Sequence, residues 1–177
     1  MTDQTVSIRQ LTPEEADQAC PDLSDVLIDC VEGGASIGFM SPLTRGRAEA
    51  FWSKIVEGVA SGQRVLLIAE EAVTNTIVGT VQVVLEQLEN QPHRADISKM
   101  MVNRRARKRG IGAMLMLAAE DAARAAGKSL LVLDTASDDA ERLYERLGWT
   151  KVGVIPGYAL WPDGRPCATT YYYKPLT

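Results

Sequence analysis

Five cations fall within six residues: Arg104, Arg105, Arg107, Lys108 and Arg109. They separate an apolar, strand-like stretch (Ala95 to Val102) from a long apolar helical one (Ala113 to Ala126), and Gly110-Ile111-Gly112 completes the connection. A chain built this way must turn out of a sheet and into a helix at its most basic point. Cations at a helix start have the wrong sign for the macrodipole, which favours negative charge there. The first backbone N–H groups of a helix also lack partners within it. An anion at that point satisfies both, and glycines let it approach the backbone closely. The pattern points to a phosphate-bearing ligand; the alternative is a solvated basic turn whose glycines serve only the turn.

Two other glycine-rich segments do not compete. Gly127-Lys128-Ser129 resembles the end of a P-loop, but Ala122 stands where the first glycine should be, and the segment follows a helix. Gly127 is better read as a helix C-cap. Gly33-Gly34-Ala35-Ser36-Ile37-Gly38 lacks the G-x-G-x-x-G spacing of dinucleotide sites.

At 177 residues the chain suits one domain, residues 1–177, able to bury roughly 70% of its unfolded surface. Its net charge of −4 argues against a general nucleic-acid binder, since such domains are usually basic. The basic cluster also lacks interleaved aromatic residues. No apolar run is long enough to span a bilayer, and Met1 to Arg9 is too polar and mixed for a signal peptide. No membrane partner is therefore expected. Cys20, Cys30 and Cys167 are odd in number and show no C-x-x-C spacing, which suits free thiols in a reducing cytoplasm. With His93 the only histidine, no metal site is expected.

Along the chain, Thr5 to Gln10 reads as a strand. Pro13 to about Val31 reads as a helix interrupted near Pro21, and a second helix after Pro42 carries Ala48, Phe51, Trp52, Ile55, Val56 and Val59 at helical spacing. Strands are predicted at Val65 to Ala69, Ile77 to Leu88 and Ala95 to Val102. After the long helix come a buried strand (Ser129 to Asp134), a short helix from Ser137 to Gly148, and strands at Thr150 to Ile155 and Thr169 to Lys174. The order β-α-α-β-β-β-α-β-α-β-β predicts an α/β (α+β) fold, a mixed, mostly antiparallel central sheet with helices on both faces.

Arg107, Gly110 and Gly112 form Arg-x-x-Gly-x-Gly, which resembles the pyrophosphate-binding signature of the GNAT N-acetyltransferase superfamily. The element order is similar to the GNAT fold from end to end. Leu143-Tyr144-Glu145-Arg146-Leu147-Gly148-Trp149 resembles the family's Leu-Tyr…Gly-Phe ending. Several roles follow from the resemblance. Acetyl-CoA is the co-substrate, held by Arg107, Lys108, Arg109, Gly110, Ile111, Gly112 and Ala113. Backbone groups of the strand Lys99-Met100-Met101-Val102, Met101 and Val102 above all, hold the pantetheine arm and acetyl oxygen. Ser137 stands where many members carry an asparagine at the cofactor arm, and it can also cap the short helix. The Tyr144 hydroxyl meets the departing sulfur; the alternative is an ordinary core tyrosine. In this family the amine attacks the thioester directly within a ternary complex.

An amine acceptor needs a base, and Asp96 and Asp134 are the candidates, one on each of the strands that splay apart in this fold. The bland readings are an edge charge for Asp96 and a turn-forming aspartate for Asp134. The acceptor segment between the first two helices contains Gly33, Gly34, Ala35, Ser36 and Phe39. It resembles the same segment of the tabtoxin-resistance acetyltransferases, which act on a small β-lactam amino-acid toxin. The expected partner is a small-molecule amine or amino-acid-like acceptor, such as a toxin or antibiotic inactivated by acetylation. Competing readings are a protein or peptide N-acetyltransferase and a non-catalytic CoA-binding regulatory module. The sequence leaves the oligomeric state open, a homodimer included.

Overall fold

A computed structural model of the chain describes residues 5–176. Residues 1–4, the head of the stretch predicted to hold no signal peptide, and Thr177 lie outside the described residues. In chain order the elements are β1 (Val6–Gln10), α1 (Pro13–Gln18), α2 (Cys20–Glu32), α3 (Arg45–Ala60), β2 (Arg64–Glu71), β3 (Thr76–Val84) and β4 (Arg94–Val102). A short 3₁₀ turn at Arg104–Ala106 leads to α4 (Ile111–Ala125), β5 (Leu130–Thr135), α5 (Asp138–Arg146), β6 (Thr150–Leu160) and β7 (Pro166–Pro175). The strands form one sheet in the order β1-β2-β3-β4-β5-β7-β6. Only β4 and β5 pair in parallel.

Alternation along the strands divides the core between the two faces. Leu66, Ile68, Ile77 and Met101 pack under α1–α3 with Leu23, Leu27, Trp52 and Ile55. Leu67, Ala69, Val83, Ala95, Ile97, Leu131 and Leu133 pack under α4 and α5 with Ile111, Leu115, Met116, Ala119 and Tyr144. This is the mixed sheet with helices on both faces that the sequence predicts.

Local chemistry sets the boundaries. Thr12 and Glu15 form a reciprocal capping box that starts α1. The predicted interruption near Pro21 falls at Ala19, because Pro21 has no N–H to continue the ladder and instead opens α2. Gly127 (φ 74°) caps α4, with its N–H on Arg124 O and the Lys128 N–H on Ala123 O; the P-loop likeness of that segment is only a helix end. β3 stops at Val84 instead of Leu88, since the Leu85 and Glu86 N–H groups both turn to Gln63 O. β6 runs beyond Ile155 because it is an edge strand, where Pro156 costs no ladder bond. The register shifts between Ile155 and Ala159 to accommodate Pro156 and Gly157.

Two irregularities in β4 shape the centre of the molecule. Its pairing with β5 covers only Arg94↔Leu130, Ala95↔Leu131 and Asp96↔Val132, after which the strands separate. On the other edge Thr80 faces Met101 while Gln82 faces Ser98. That extra residue is a bulge, and Lys99 within it takes φ 53°. Among the described residues no helix is long and apolar enough to cross a membrane. No group of three or more His, Cys, Asp and Glu side chains among them could hold a metal ion.

One polar knot ties α4 to β7. Glu120, 2% exposed, accepts from Trp149 Nε1 at 3.1 Å and from Lys174 Nζ at 2.8 Å, and Lys174 also donates to Leu147 O. Lys174→Met should cost about 3 kcal/mol, since it leaves a buried carboxylate with only the Trp149 N–H and Arg124 at 3.7 Å. Lys174→Met with Glu120→Leu should recover part of that loss. Urea unfolding measures both.

Candidate active site

The basic turn between β4 and α4 divides its cations between structure and solvent. Arg104 pairs with Asp29 on α2 at 2.8 Å. Arg109 pairs with the buried Glu71 on β2 at 2.8 Å. Arg107 folds back, its Nε donating to Val102 O at 3.1 Å and its guanidinium reaching Cys30 Sγ at 4.0 Å. Burial pushes the Cys30 thiol pKa up, with Arg107 opposing that shift.

The anion-binding capacity therefore rests on backbone. Lys108 (φ 62°) and Gly110 (φ 77°) both adopt left-handed conformations. Gly110 is the N-cap of α4, and no side chain caps that end. The N–H groups of Lys108, Gly110, Ile111, Gly112 and Ala113 have no hydrogen-bond partner among the described residues. Such a row of convergent donors at the positive end of a fifteen-residue helix suits a pyrophosphate. Gly112 also serves the packing of the helices. A Cβ there would meet Leu143 Cδ2 at 3.1 Å, so the glycine lets α5 lie close to α4.

The β4 edge is committed unevenly. Asn103 N–H bonds Val78 O, so alternation turns the polar groups of Met101 toward β3 and those of Val102 toward the gap beside β5. The Met101 side chain is buried under α1–α3. Arg107 and Cys30 already use the Val102 carbonyl.

Tyr144 lies on α5 in the core, in ring contact with Trp149 and Tyr172 at 6.0 and 5.9 Å. Burial raises its pKa far above that of a free phenol, and the charge of Asp134 adds to the shift. The hydroxyl is thus protonated at neutral pH. Ser137 is the N-cap of α5, its Oγ accepting from the Ala140 N–H at 3.3 Å.

Asp96 and Asp134 project from the same sheet face, opposite Ala95, Ile97, Leu131 and Leu133. Asp96 stands on the last paired rung, with Arg94 at 3.4 Å. Asp134 stands two residues further along β5, beyond the point of separation. It is exposed, and Thr169 Oγ1 donates to one carboxylate oxygen at 2.8 Å. Tyr171 on β7 lies opposite Asp134 and shares a 2.8 Å hydroxyl contact with Tyr158.

The segment between α2 and α3 spans two places. Gly33 caps α2 against the Arg104 side chain, and Gly34 (φ 86°) turns the chain in open space. The Ala35 N–H bonds Cys30 O. Ser36 crosses to the β6–β7 hairpin, donating to Leu160 O at 3.0 Å and meeting Cys167 Sγ at 3.4 Å. The Ser41 N–H bonds Pro162 O at 3.0 Å, and Phe39 packs edge-on against Phe51.

Three side chains here escape sequence reasoning. Those of Lys99, Thr169 and Glu71 become neighbours of the site only through a bulge, a diagonal cross-strand contact and a buried ion pair. Only Glu71 left a signal, as an acidic residue ending an apolar strand.

A model of the acetyltransferase (GNAT) family matches residues 25–149, well over half of the chain, and the chain belongs to that family. An uncharacterized N-acetyltransferase from the hisH-hisA intergenic region of Azospirillum brasilense is 32% identical over 115 residues. That match covers 64% of this chain and 66% of the relative, slightly under two thirds. Among solved structures, yncA from Salmonella typhimurium with its cofactor acetyl-CoA superposes with a TM-score of 0.79 at 20% identity, covering 98% of this chain and 95% of that one. A phosphinothricin acetyltransferase from Sinorhizobium meliloti, in complex with acetyl-CoA, gives 0.80 at 16% identity, covering 97% and 89%. At those identities the likeness is one of fold.

Gly112→Asp should abolish acetyl-CoA binding, because it sets a carboxylate among the unpartnered amides. Gly112→Ala should weaken binding less, through the Leu143 contact alone. Calorimetric titration of both folded variants measures the difference, and equal affinities in Gly112→Asp and the parent would remove the turn from the binding site.

Proposed function

We propose that this chain transfers the acetyl group of acetyl-CoA to the primary amine of a small, amino-acid-like molecule. The observation that carries this reading is the gap between β4 and β5. Unpartnered amides of α4 lie at one end, the protonated Tyr144 hydroxyl belongs to the face below, and the Asp134 carboxylate lies beyond the last rung. The residues present fit the co-substrate: glycine-lined amides for a pyrophosphate, and open strand edges for an amide-bearing arm. Acetyl-CoA supplies an acetyl group activated as a thioester.

The chain's own groups supply alignment and proton transfer. Holding the amine against the acyl carbon removes a large entropic barrier, on the order of 7–11 kcal/mol for well-aligned reactants. The incoming amine must lose a proton, and Asp134, directly or through a water, has an uncommitted carboxylate oxygen to accept it. Asp96 is the weaker candidate because Arg94 accompanies it. As the C–N bond forms and the C–S bond breaks, the sulfur needs a proton or a hydrogen bond. Tyr144, a phenol and so protonated at neutral pH, is the donor.

A small acceptor fits better than a peptide. What supports this is that the Ser36–Leu160 and Ser41–Pro162 hydrogen bonds join the α2–α3 segment to the hairpin, across the path an extended peptide would take. Inactivation of a toxin or antibiotic, as the likeness to the tabtoxin-resistance segment suggests, is one physiological use of such a reaction.

Tyr144→Phe should lower turnover roughly 10²–10⁴-fold with acetyl-CoA affinity retained. Thiol release with the best amine of a panel reads turnover, and an unchanged rate would make Tyr144 a packing residue. For the base, Asp134→Asn should depress the rate more at neutral than at alkaline pH, where the amine is already neutral. Asp96→Asn should have the smaller effect. A pH profile of Asp134→Asn parallel to that of the parent would assign Asp134 to binding.

A further inference from the structure

Lys99 is an oddity that the acetyl-transfer chemistry does not use. Its backbone sits in the β4 bulge at φ 53°, a conformation that few side-chain-bearing residues adopt. The bulge puts Lys99 on the same face as Ser98, toward α3 and the acceptor segment. The ammonium lies 5.9 Å from the centre of the Phe51 ring, near the outer limit of a useful cation–π contact. It lies 3.4 Å from where a Gly38 Cβ would stand. Gly38 has φ 91°, so a bare glycine there keeps the space around the nitrogen open. Burial lowers the Lys99 pKa from that of a free lysine, Asp134 opposes the shift, and Arg64 adds to it. Arg64 is itself occupied with Gln82 at 3.0 Å. Lys99 thus senses Asp134 but forms neither an ion pair nor a hydrogen bond with any described residue.

A half-buried ammonium without a counterion is costly unless something completes it. Asp134 lies on the same sheet face, past the last β4–β5 rung, where one of its oxygens accepts from Thr169 and its charge opposes the lowering of the Lys99 pKa. One cation and one anion on one sheet face at the gap, not ion-paired with each other, form the complement of a zwitterion.

We propose that Lys99 binds the carboxylate of the acceptor, so that the substrate is a free amino acid whose amine faces Asp134. This rests on the acetyltransferase reading above and narrows it. A peptide N-terminus, which carries no carboxylate near its amine, and a simple alkylamine would both leave Lys99 unsatisfied. The ammonium would hold the carboxylate by a charge-assisted hydrogen bond, and Phe51 and Phe39 would wall the side chain.

The test compares twenty free amino acids with their decarboxylated amines and their carboxamides, in the parent, Lys99→Met and Lys99→Arg. In the parent, kcat/KM should favour the carboxylate-bearing member of the best set roughly 10- to 100-fold. Lys99→Met, which removes an unpaired buried charge and should stay folded, should collapse that ratio toward one. Lys99→Arg should keep part of it. A parent ratio near one, or a ratio unaltered in Lys99→Met, overturns the proposal. If the parent acetylates none of these amines, the functional reading fails separately, and product binding still decides Lys99. The Lys99 Nζ resonance, followed by NMR, should shift on adding N-acetyl amino acids and not on adding the matching N-acetyl amines. No shift with either overturns the assignment.

Discussion

Everything at the centre of this molecule follows from the early parting of β4 and β5. Two parallel strands with antiparallel partners on their outer edges hold together for three rungs and then part, leaving their facing edges to other partners, the Val102 carbonyl to Arg107 and Cys30. Buried backbone polar groups without partners are destabilising, so a sheet opens in this way only where something else completes it. A ligand with its own amides can lie between the strands as a temporary strand. The constraint also orders the side chains. Asp96, on the last rung, is drawn to its neighbour Arg94. Asp134, past the opening, keeps an oxygen free.

The same economy governs the basic turn. A run of arginines suggests cations reaching for phosphate, yet Arg104, Arg107 and Arg109 commit their charge to Asp29, the Val102 carbonyl and Glu71. These contacts lash the turn to α2, β4 and β2 and fix the amides that follow. Fixed amides need no reorganisation when an anion arrives, which is why a preorganised helix terminus can hold a phosphate without a salt bridge from every nearby arginine. The arginines still contribute a positive field, and that contribution weakens with salt.

The sequence makes most of the fold legible because its signals are local. Helical spacing gives α3 and α4, the capping pattern gives α1, glycines mark the ends of α4 and α5, and apolar runs give β2 and β5. The Arg-x-x-Gly-x-Gly and Leu-Tyr…Gly motifs locate the turn and Tyr144 for the same reason. What stays hidden is set by register. Whether Met101 offers its backbone to a ligand or to β3 depends on the bulge at Lys99, and nothing in Lys99-Met100-Met101 announces one. Lys99 reads as one more residue of the strand whose backbone faces the cofactor arm, and only the bulge gives its side chain a direction. Ser137 and the glycines at 33 and 34 read as ligand contacts, and the structure also gives them work in helix caps and turns.

The two faces of the sheet differ in how firmly they are held, and that difference suits transfer between two substrates. Under α4 and α5 the apolar layer is continuous, and Glu120, Lys174 and Trp149 lock its far end through buried charge-assisted bonds. Displacement there strands an ion, so this face keeps the amide row and Tyr144 in one geometry. On the acceptor side the α2–α3 segment reaches the hairpin through the Ser36 and Ser41 hydrogen bonds, each worth about 1 kcal/mol net. Glycines at 33, 34 and 38 bracket that segment, and β6 beyond it is an edge strand exposed along most of its length. Local opening there breaks those bonds and lifts Ala35, Ile37 and Phe39 off the core they pack against. The α2–α3 segment is thus the more easily displaced wall of the molecule, while the amide row and Tyr144 sit on a frame that is not.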